Sequence, residues 1–244
     1  MAATTGDGRR PPQQARSLAT RRALLVSAGE RFAAQGFHGT ALSELVGDGA
    51  ATKGAFYFHF ASKQAVAEAL VEAMGDSWDD VTTAVEAAAR DGLEALVLLT
   101  DAVTVRLDDP VVRGAGRVLR DKVVATPTLG AMTGWWCEQA EDLLRRARRE
   151  GLLRPEADPA WLARELVAGF AGRATLFEAP CDAPPLWDLM NDFWAGFLPL
   201  IATAEWHARW DARPWRARPR PRGVGAGDAE PPTVHPVGEP APTA

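Results

Sequence analysis

The residues of this chain best suited to binding chemistry lie in one short run, TKGAFYFHFASK, at positions 52–63. The run begins with a hydroxyl at Thr52 and a cation at Lys53, followed by Gly54 and Ala55, which have almost no side chain. Hydroxyls and cations bind base edges and phosphates, and a backbone without bulky side chains can approach a duplex closely. Further polar groups would reach phosphates, namely Tyr57, His59 and Lys63. The run therefore indicates a surface that binds nucleic acid.

The segment around this run is typical of two short helices joined by a tight turn. Thr40 is placed to cap the first helix, and Glu44 is close to the position of a capping-box carboxylate. Glycine tolerates a positive φ, so Gly47 and Gly49 would end that helix, and a second helix would begin at Thr52. The pattern predicts a helix-turn-helix whose second helix can lie in a major groove about 12 Å wide. On turn geometry alone, two packed helices of any all-α protein are an equally good interpretation.

Charge is distributed unevenly along the chain. The net charge is −5, which taken alone argues against nucleic acid as a partner. Residues 1–63, however, hold eight Lys or Arg and four acids, which leaves 19 basic and 28 acidic residues in the remainder. A basic N-terminal piece on an acidic body is expected when only one domain meets phosphate, although a solvated surface would give the same excess.

The sequence of the run TKGAFYFHFASK resembles the recognition-helix signature of the TetR family of bacterial transcriptional regulators. More narrowly, TKGAxYFHFxSK is similar to the γ-butyrolactone receptor branch of that family. The positions that match are Thr40, Leu45, Gly54, Tyr57, Phe60 and Lys63. One departure is in the turn, where the family usually has Gly then Val and this chain has Ala50 and Ala51 after Gly49.

The resemblance implies a homodimeric, ligand-responsive repressor that binds a pseudo-palindromic operator in double-stranded DNA and controls secondary-metabolite genes. The residues assigned to DNA contact are Thr40, Thr52, Lys53, Gly54, Ala55, Tyr57, Phe58, His59 and Lys63. Two alternatives have the same domain architecture. One is a pseudo-receptor that senses an antibiotic or biosynthetic intermediate, or no ligand. The other is a constitutive DNA binder whose body only dimerises.

The rest of the chain reads as all-α, with helical spacing of apolar residues and no useful strand-like alternation. We expect a disordered basic arm at 1–16, a three-helix DNA-binding domain at 17–63, and a helical regulatory and dimerisation domain at 64–204. A disordered Arg- and Pro-rich tail is expected at 205–244. A single long helix from Lys63 to just before Gly92 would connect the two domains. The arm could follow the DNA backbone or be a plain solubilising tail. The C-terminal tail could add non-specific DNA affinity or be simply solvated.

The segment 134–172 resembles the regulatory domain of the γ-butyrolactone receptors, in which a tryptophan about two turns before a Leu-Leu pair lines the ligand pocket. Trp136 matches by spacing, and Trp135 is the neighbour that could replace it. A helix-lined cavity walled by Trp136, Phe170, Trp161 or Phe177 would accept a small apolar or amphipathic molecule. For the rings other than Trp136, simple core filling is the competing interpretation.

The final predicted helix is apolar over more of its circumference than a surface helix needs. Its large side chains are Trp187, Met190, Phe193, Trp194 and Phe197, and we assign these to a homodimer interface. Dimerisation would hold two DNA-binding domains at a fixed separation, as a two-fold operator requires. An ordinary buried helix is the alternative.

Other functional classes find little support. Cys137 and Cys181 match no disulfide or zinc pattern, and no cofactor or metal is indicated. No apolar run approaches the ~18 residues of a membrane span, and the N-terminus lacks a signal-peptide core, so no membrane partner and a cytoplasmic location are expected. The chain has no GxGxxG, P-loop or HExxH, and its four histidines avoid any cluster of acids or cysteines, so an enzyme is not expected.

Overall fold

A computed structural model describes residues 13–47, 49, 51–75, 78–124, 126–178, 184–211 and 220. Within these residues the chain is helical apart from turns and one isolated antiparallel bridge between Leu153 and Ala202, which confirms the all-α class. Most of the predicted arm and tail (1–12, 212–219 and 221–244) lies outside the described residues. Every helix in the described part is too short or too polar to cross a bilayer. The helices are α1 (Gln13–Gly39), α2 (Leu42–Gly47), α3 (Lys53–His59), α4 (Lys63–Gly75), α5 (Trp78–Ala88), α6 (Gly92–Arg106), α7 (Pro110–Arg120), α8 (Thr126–Arg149), α9 (Pro159–Glu178), α10 (Leu186–Ile201) and α11 (Ala204–Asp211).

Helices α1 to α3, called here the reading head, pack around buried rings. Phe32 and Phe56 are almost fully buried, whereas Phe37 is only partly so. Helix α1 begins at Gln13 rather than at 17, so the last residues of the predicted arm are helical. Gly36 interrupts the helix, with φ 73° and ψ 169°. The buried cluster continues from α1 into the body, so the reading head shares its core with the rest of the chain.

The turn before α3 is made by the glycine that departs from the family pattern. Gly49 has a φ of 76°. Only glycine adopts this conformation without steric cost. Gly49, one position before the usual turn glycine of the family, therefore still provides a left-handed turn residue.

The prediction of one long connecting helix is wrong. The structure has two helices instead, α4 ending at Gly75 and α5 beginning at Trp78. Glycine is a poor helix former and readily ends a helix. Trp78, Val81 and Val85 of α5 are buried.

The body is built around α6, of whose 15 residues 14 are buried. The next helix along the chain is α7, although Gly114 and Gly116 weaken the local helix propensity. The helix forms because Asp109 caps it, with Oδ1 accepting from the Val111 N–H at 2.8 Å, and because Pro110 suits the first turn. Gly114 lies against Gly29 of α1, since a Cβ added to Gly114 would come within 2.5 Å of the Gly29 Cα. The glycines that weaken the local helix signal are thus a packing feature.

The prediction that a tail begins at 205 is wrong for the first of its residues, because Ala204–Asp211 form the helix α11. Trp206 and Trp210 are both 2% exposed and stack at 4.9 Å between ring centroids. The Trp206 Nε1 donates to Asp91 Oδ2 at 3.0 Å, which ties α11 to the start of α6. Two tryptophans four residues apart lie on one helical face, and burial of both stabilises the helix.

Candidate nucleic-acid interface and internal cavity

Helix α3 is fixed at both ends and on one face. At its start the Thr52 Oγ1 accepts from the Ala55 N–H at 3.2 Å, and at its end the Phe60 N–H donates to the Phe56 carbonyl at 2.8 Å. Phe56 is 1% exposed and anchors the inner face. These contacts hold a helix of only seven residues, which would be marginal in isolation.

The outer face of α3 carries most of the residues assigned to DNA. Thr52, Lys53 and Gly54 are exposed, and among the residues that the structure describes a Cβ at Gly54 would meet nothing within 4 Å beyond its chain neighbours and the α3 backbone. Tyr57 is 47% exposed and Phe58 78% exposed. Ala55 and His59 lie half-buried at the edges. The surface therefore offers a cation, hydroxyls, a bare backbone and aromatic rings together, which is the chemistry of groove contact.

The structure contradicts the role predicted for Thr40. Its side chain is 1% exposed, and the Oγ1 donates to the Gly36 carbonyl at 2.8 Å. Helix α2 begins at Leu42, and the Glu44 carboxylate reaches back to the Ala41 N–H at 2.7 Å. Thr40 therefore neither caps α2 with its side chain nor reaches a phosphate, because its hydroxyl satisfies the broken end of α1.

Lys63, also predicted to contact phosphate, points inward. Its Nζ donates to the carbonyls of Phe37 and Thr40, each at 2.8 Å, and lies 4.2 Å from the centre of the Phe37 ring. Two of its three N–H groups are thus used within the chain. Lys63 is better described as a positioning residue that ties the first turn of α4 to the end of α1.

Helix α7 is clamped to α1 at three levels. At one end, Arg22 forms an ion pair with Asp109 at 3.3 Å. In the middle, the Gly29 and Gly114 backbones touch. At the other end, the Phe37 N–H donates to Asp121 Oδ2 at 2.8 Å. These contacts make α1 and α7 one mechanical unit that joins the reading head to the body.

A buried cation lies beside this unit. Arg106 is 3% exposed, and its guanidinium lies 4.8 Å from the centre of the Trp78 ring. Burial lowers the pKa of Arg106, while the charge of Asp109 opposes that shift. Asp109 therefore serves as N-cap of α7, partner of Arg22 and counter-charge of Arg106.

The body contains a cavity of about 260 Å³, and residues of α4, α5, α6, α7, α8 and α9 line it. Of the predicted ligand residues, Trp136 and Phe170 lie in its wall. Trp135, Trp161 and Phe177 do not. Trp135 packs edge-on against Trp136 at 4.6 Å, Trp161 is 51% exposed, and Phe177 packs in a second apolar cluster.

Sequence reasoning missed several wall residues from distant parts of the chain. The wall includes Trp78, whose ring lies 4.7 Å from that of Trp136, and side chains of α6 and α7. From α7 it includes Val112, Gly116, Leu119 and Arg120. Most of the lining is apolar, so the cavity suits an apolar or amphipathic molecule. Because α7 lines the cavity and also contacts α1, a molecule in the cavity lies one helix away from the reading head.

Two residues predicted for the dimer interface are internal. Met190 is 1% and Trp194 0% exposed, and both pack within their own chain. Trp187, Phe193 and Phe197 are half-buried, and the Phe193 and Phe197 rings stack at 4.8 Å. The exposed large apolar side chains of α9 and α10 are Trp161, Leu176 and Leu200.

These features define a helix-turn-helix protein with an appended helical body that contains a cavity with a mostly apolar lining. Residues 24–70 match the family of bacterial regulatory proteins, tetR family. The A-factor receptor protein of Streptomyces griseus is 31% identical over 193 residues, which cover 78% of this chain and 66% of that protein. The chain belongs to the TetR family, and the resemblance to its γ-butyrolactone receptors is confirmed.

Solved structures agree. The crystal structure of a gamma-butyrolactone receptor (ArpA-like protein) is 27% identical with a TM-score of 0.67, over 81% of this chain and 95% of that one. CprB from Streptomyces coelicolor, in complex with its biological operator sequence, is 27% identical with a TM-score of 0.70 and the same coverage.

Proposed function

We propose that this protein is a homodimeric, ligand-responsive repressor that binds a pseudo-palindromic operator and responds to a γ-butyrolactone-like signal. The observation that carries the proposal is the exposed face of α3, with Lys53, Gly54 and Tyr57 on one surface within the matched family region. Two relatives support it, one named for a γ-butyrolactone and one solved with its operator. The proposal includes control of secondary-metabolite genes, a cytoplasmic location and no catalytic role.

In this proposal Lys53, Thr52 and the backbone at Gly54 and Ala55 face the base edges. Tyr57 and His59 hold phosphates, while Lys63 fixes the angle between α4 and α1. The dimer presents two α3 helices to successive major grooves. We place its interface on the outer sides of α9 and α10, where Trp161, Leu176 and Leu200 are exposed.

The response to ligand follows from the shared use of α7. A molecule that binds the cavity better when α7 is displaced favours a separation of the two reading heads that no longer fits the operator. The size of the effect is limited by the difference in affinity of the ligand for the two shapes.

The DNA assignment can be tested with Lys53→Ala on a duplex that the protein selects from a random library. We expect operator affinity to fall by about 10-fold to 100-fold, with a shallower salt dependence, because one cation at the groove is lost. Tyr57→Phe should weaken binding by a smaller factor. Titration by fluorescence anisotropy at several salt concentrations measures both effects.

Arg149→Ala is the matched control, since Arg149 is an exposed cation at the end of α8, in the body. It should change operator affinity by less than about twofold. If Lys53→Ala and Tyr57→Phe both bound like the parent protein, the assignment of α3 would be wrong.

The cavity can be tested with two neighbouring tryptophans. Trp136→Phe changes the cavity wall, whereas Trp135→Phe changes a ring just outside it. We expect the concentration of ligand that releases DNA to rise about 10-fold or more for Trp136→Phe, and to remain within about twofold for Trp135→Phe. Release from fluorescent operator is measured with a panel of γ-butyrolactones and a panel of aromatic polyketides. Release by polyketides alone would favour the pseudo-receptor alternative, and equal effects of the two variants would contradict the cavity assignment.

A further inference from the structure

Phe58 is the most exposed large apolar side chain in the described part of the chain, at 78%. Burying a phenylalanine is worth about 2 kcal/mol, and this one contributes almost none of that to the fold. Its ring meets only the edge of His59, at 5.1 Å between centroids, among the ring contacts described. A solvent-exposed aromatic ring on a short, well-anchored helix indicates a surface that binds a partner.

The register of α3 places this ring at the outermost point of the reading head. Successive residues of an α-helix are about 100° apart, so Gly54 and Phe58 lie opposite the buried Phe56 and one turn from each other. Apart from its chain neighbours and the backbone of α3, no described atom lies within 4 Å of a Cβ built at Gly54. The ring therefore projects beside a bare stretch of backbone. Tyr57 lies about 100° around the helix from it, and Lys53 lies farther round on the same side.

The surroundings favour a duplex over a protein as the partner. The first 63 residues carry a charge excess of +4, from eight bases and four acids, while the rest of the chain is acidic. In the major groove, the apolar group that a base pair presents is the 5-methyl of thymine, and phenylalanine is among the side chains that contact it. Polar neighbours can reach phosphates and base edges, but only Phe58 on this face offers a large apolar surface.

We infer that Phe58 is a specificity-determining residue that reads the 5-methyl group of a thymine in each operator half-site. The inference rests on the proposed function, since it requires that α3 enter the major groove. Removal of one such methyl should cost about fourfold in affinity, the equivalent of one buried methylene. Removal of the two related by operator symmetry should cost about 15-fold.

The test changes both partners of the contact, the thymines of the DNA and Phe58 of the protein. Each thymine of the selected duplex is replaced in turn by deoxyuridine, which lacks only the methyl group, and affinity is measured for the parent protein and for Phe58→Ala. We expect one symmetric pair of positions at which the parent loses about 15-fold and Phe58→Ala loses less than about twofold. Phe58→Ala should keep the fold, because the side chain is outside the core.

Leu18→Ala is the control, since Leu18 is another exposed apolar residue of the reading head, 62% exposed on α1. Its sensitivity to deoxyuridine should equal that of the parent. The inference is overturned if no thymine methyl affects the operator affinity of the parent, or if Phe58→Ala keeps the full sensitivity to deoxyuridine. In either case, specific binding of the selected duplex by the parent would leave the proposed function standing. A parent protein that selects no duplex overturns both.

Discussion

Replacing Asp109 by alanine should lower the free energy of unfolding by about 4 kcal/mol. Asp109 is 8% exposed, and its replacement removes two separate stabilising interactions. The Val111 N–H loses its cap, which is worth about 1 kcal/mol. The buried Arg106 and its neighbour Arg22 lose their counter-charge, and a buried charge without its partner costs about 3 kcal/mol. Denaturant unfolding followed by circular dichroism, at one fixed protein concentration, measures the change.

Asp109→Asn separates the two losses. Asparagine caps a helix as well as aspartate does, so α7 keeps its first turn, and only the negative charge is removed. We expect a loss of about 3 kcal/mol for this variant. If it were as stable as the parent, the charge of Asp109 would contribute nothing, and the cap would account for the whole effect of the alanine variant.

The parts of the site that sequence reasoning located are those whose geometry is local. The cap at Thr52 and the exposed face of α3 depend on residues within one or two turns of each other, so spacing alone predicts them. Thr40 and Lys63 were misplaced because their partners are carbonyls at the broken end of α1, and Lys63 reaches back 26 positions to Phe37. A sequence shows that a lysine follows the recognition helix, but not which oxygen atoms lie within its reach.

The same distinction explains the body. Trp136 was found as a wall residue by resemblance, but Trp78 lies 58 positions away in sequence and meets it only through tertiary packing. Met190 and Trp194 were assigned to an interface because an apolar helix can face its own core or a second copy, and periodicity does not distinguish the two. For α11 the sequence did contain a helix signal, because Trp206 and Trp210 are four residues apart. The Arg- and Pro-rich composition of 205–244 concealed it.

Two alanine substitutions in one helix should have opposite effects on stability. Gly114→Ala places a Cβ 2.5 Å from the Gly29 Cα and 2.8 Å from the Gly29 carbonyl oxygen, and a backbone cannot move aside as a flexible side chain can. We expect a loss of about 3 kcal/mol. At Gly116 the nearest atom is the Arg120 guanidinium, at an ordinary 3.5 Å, so alanine should stabilise the protein by about 0.5 kcal/mol through its better helix propensity.

The pair also tests the connection between cavity and DNA. Gly114→Ala forces α1 and α7 apart at their crossing, so we expect it to weaken operator binding in solutions where the protein is still folded. Gly116 lies in the cavity wall and not at the crossing, and Gly116→Ala should leave operator binding within about twofold of the parent. Equal effects of the two substitutions, on stability or on DNA, would contradict the backbone contact between α1 and α7. The route by which a bound molecule displaces the reading head would then have to run through α4, which Lys63 ties to the end of α1.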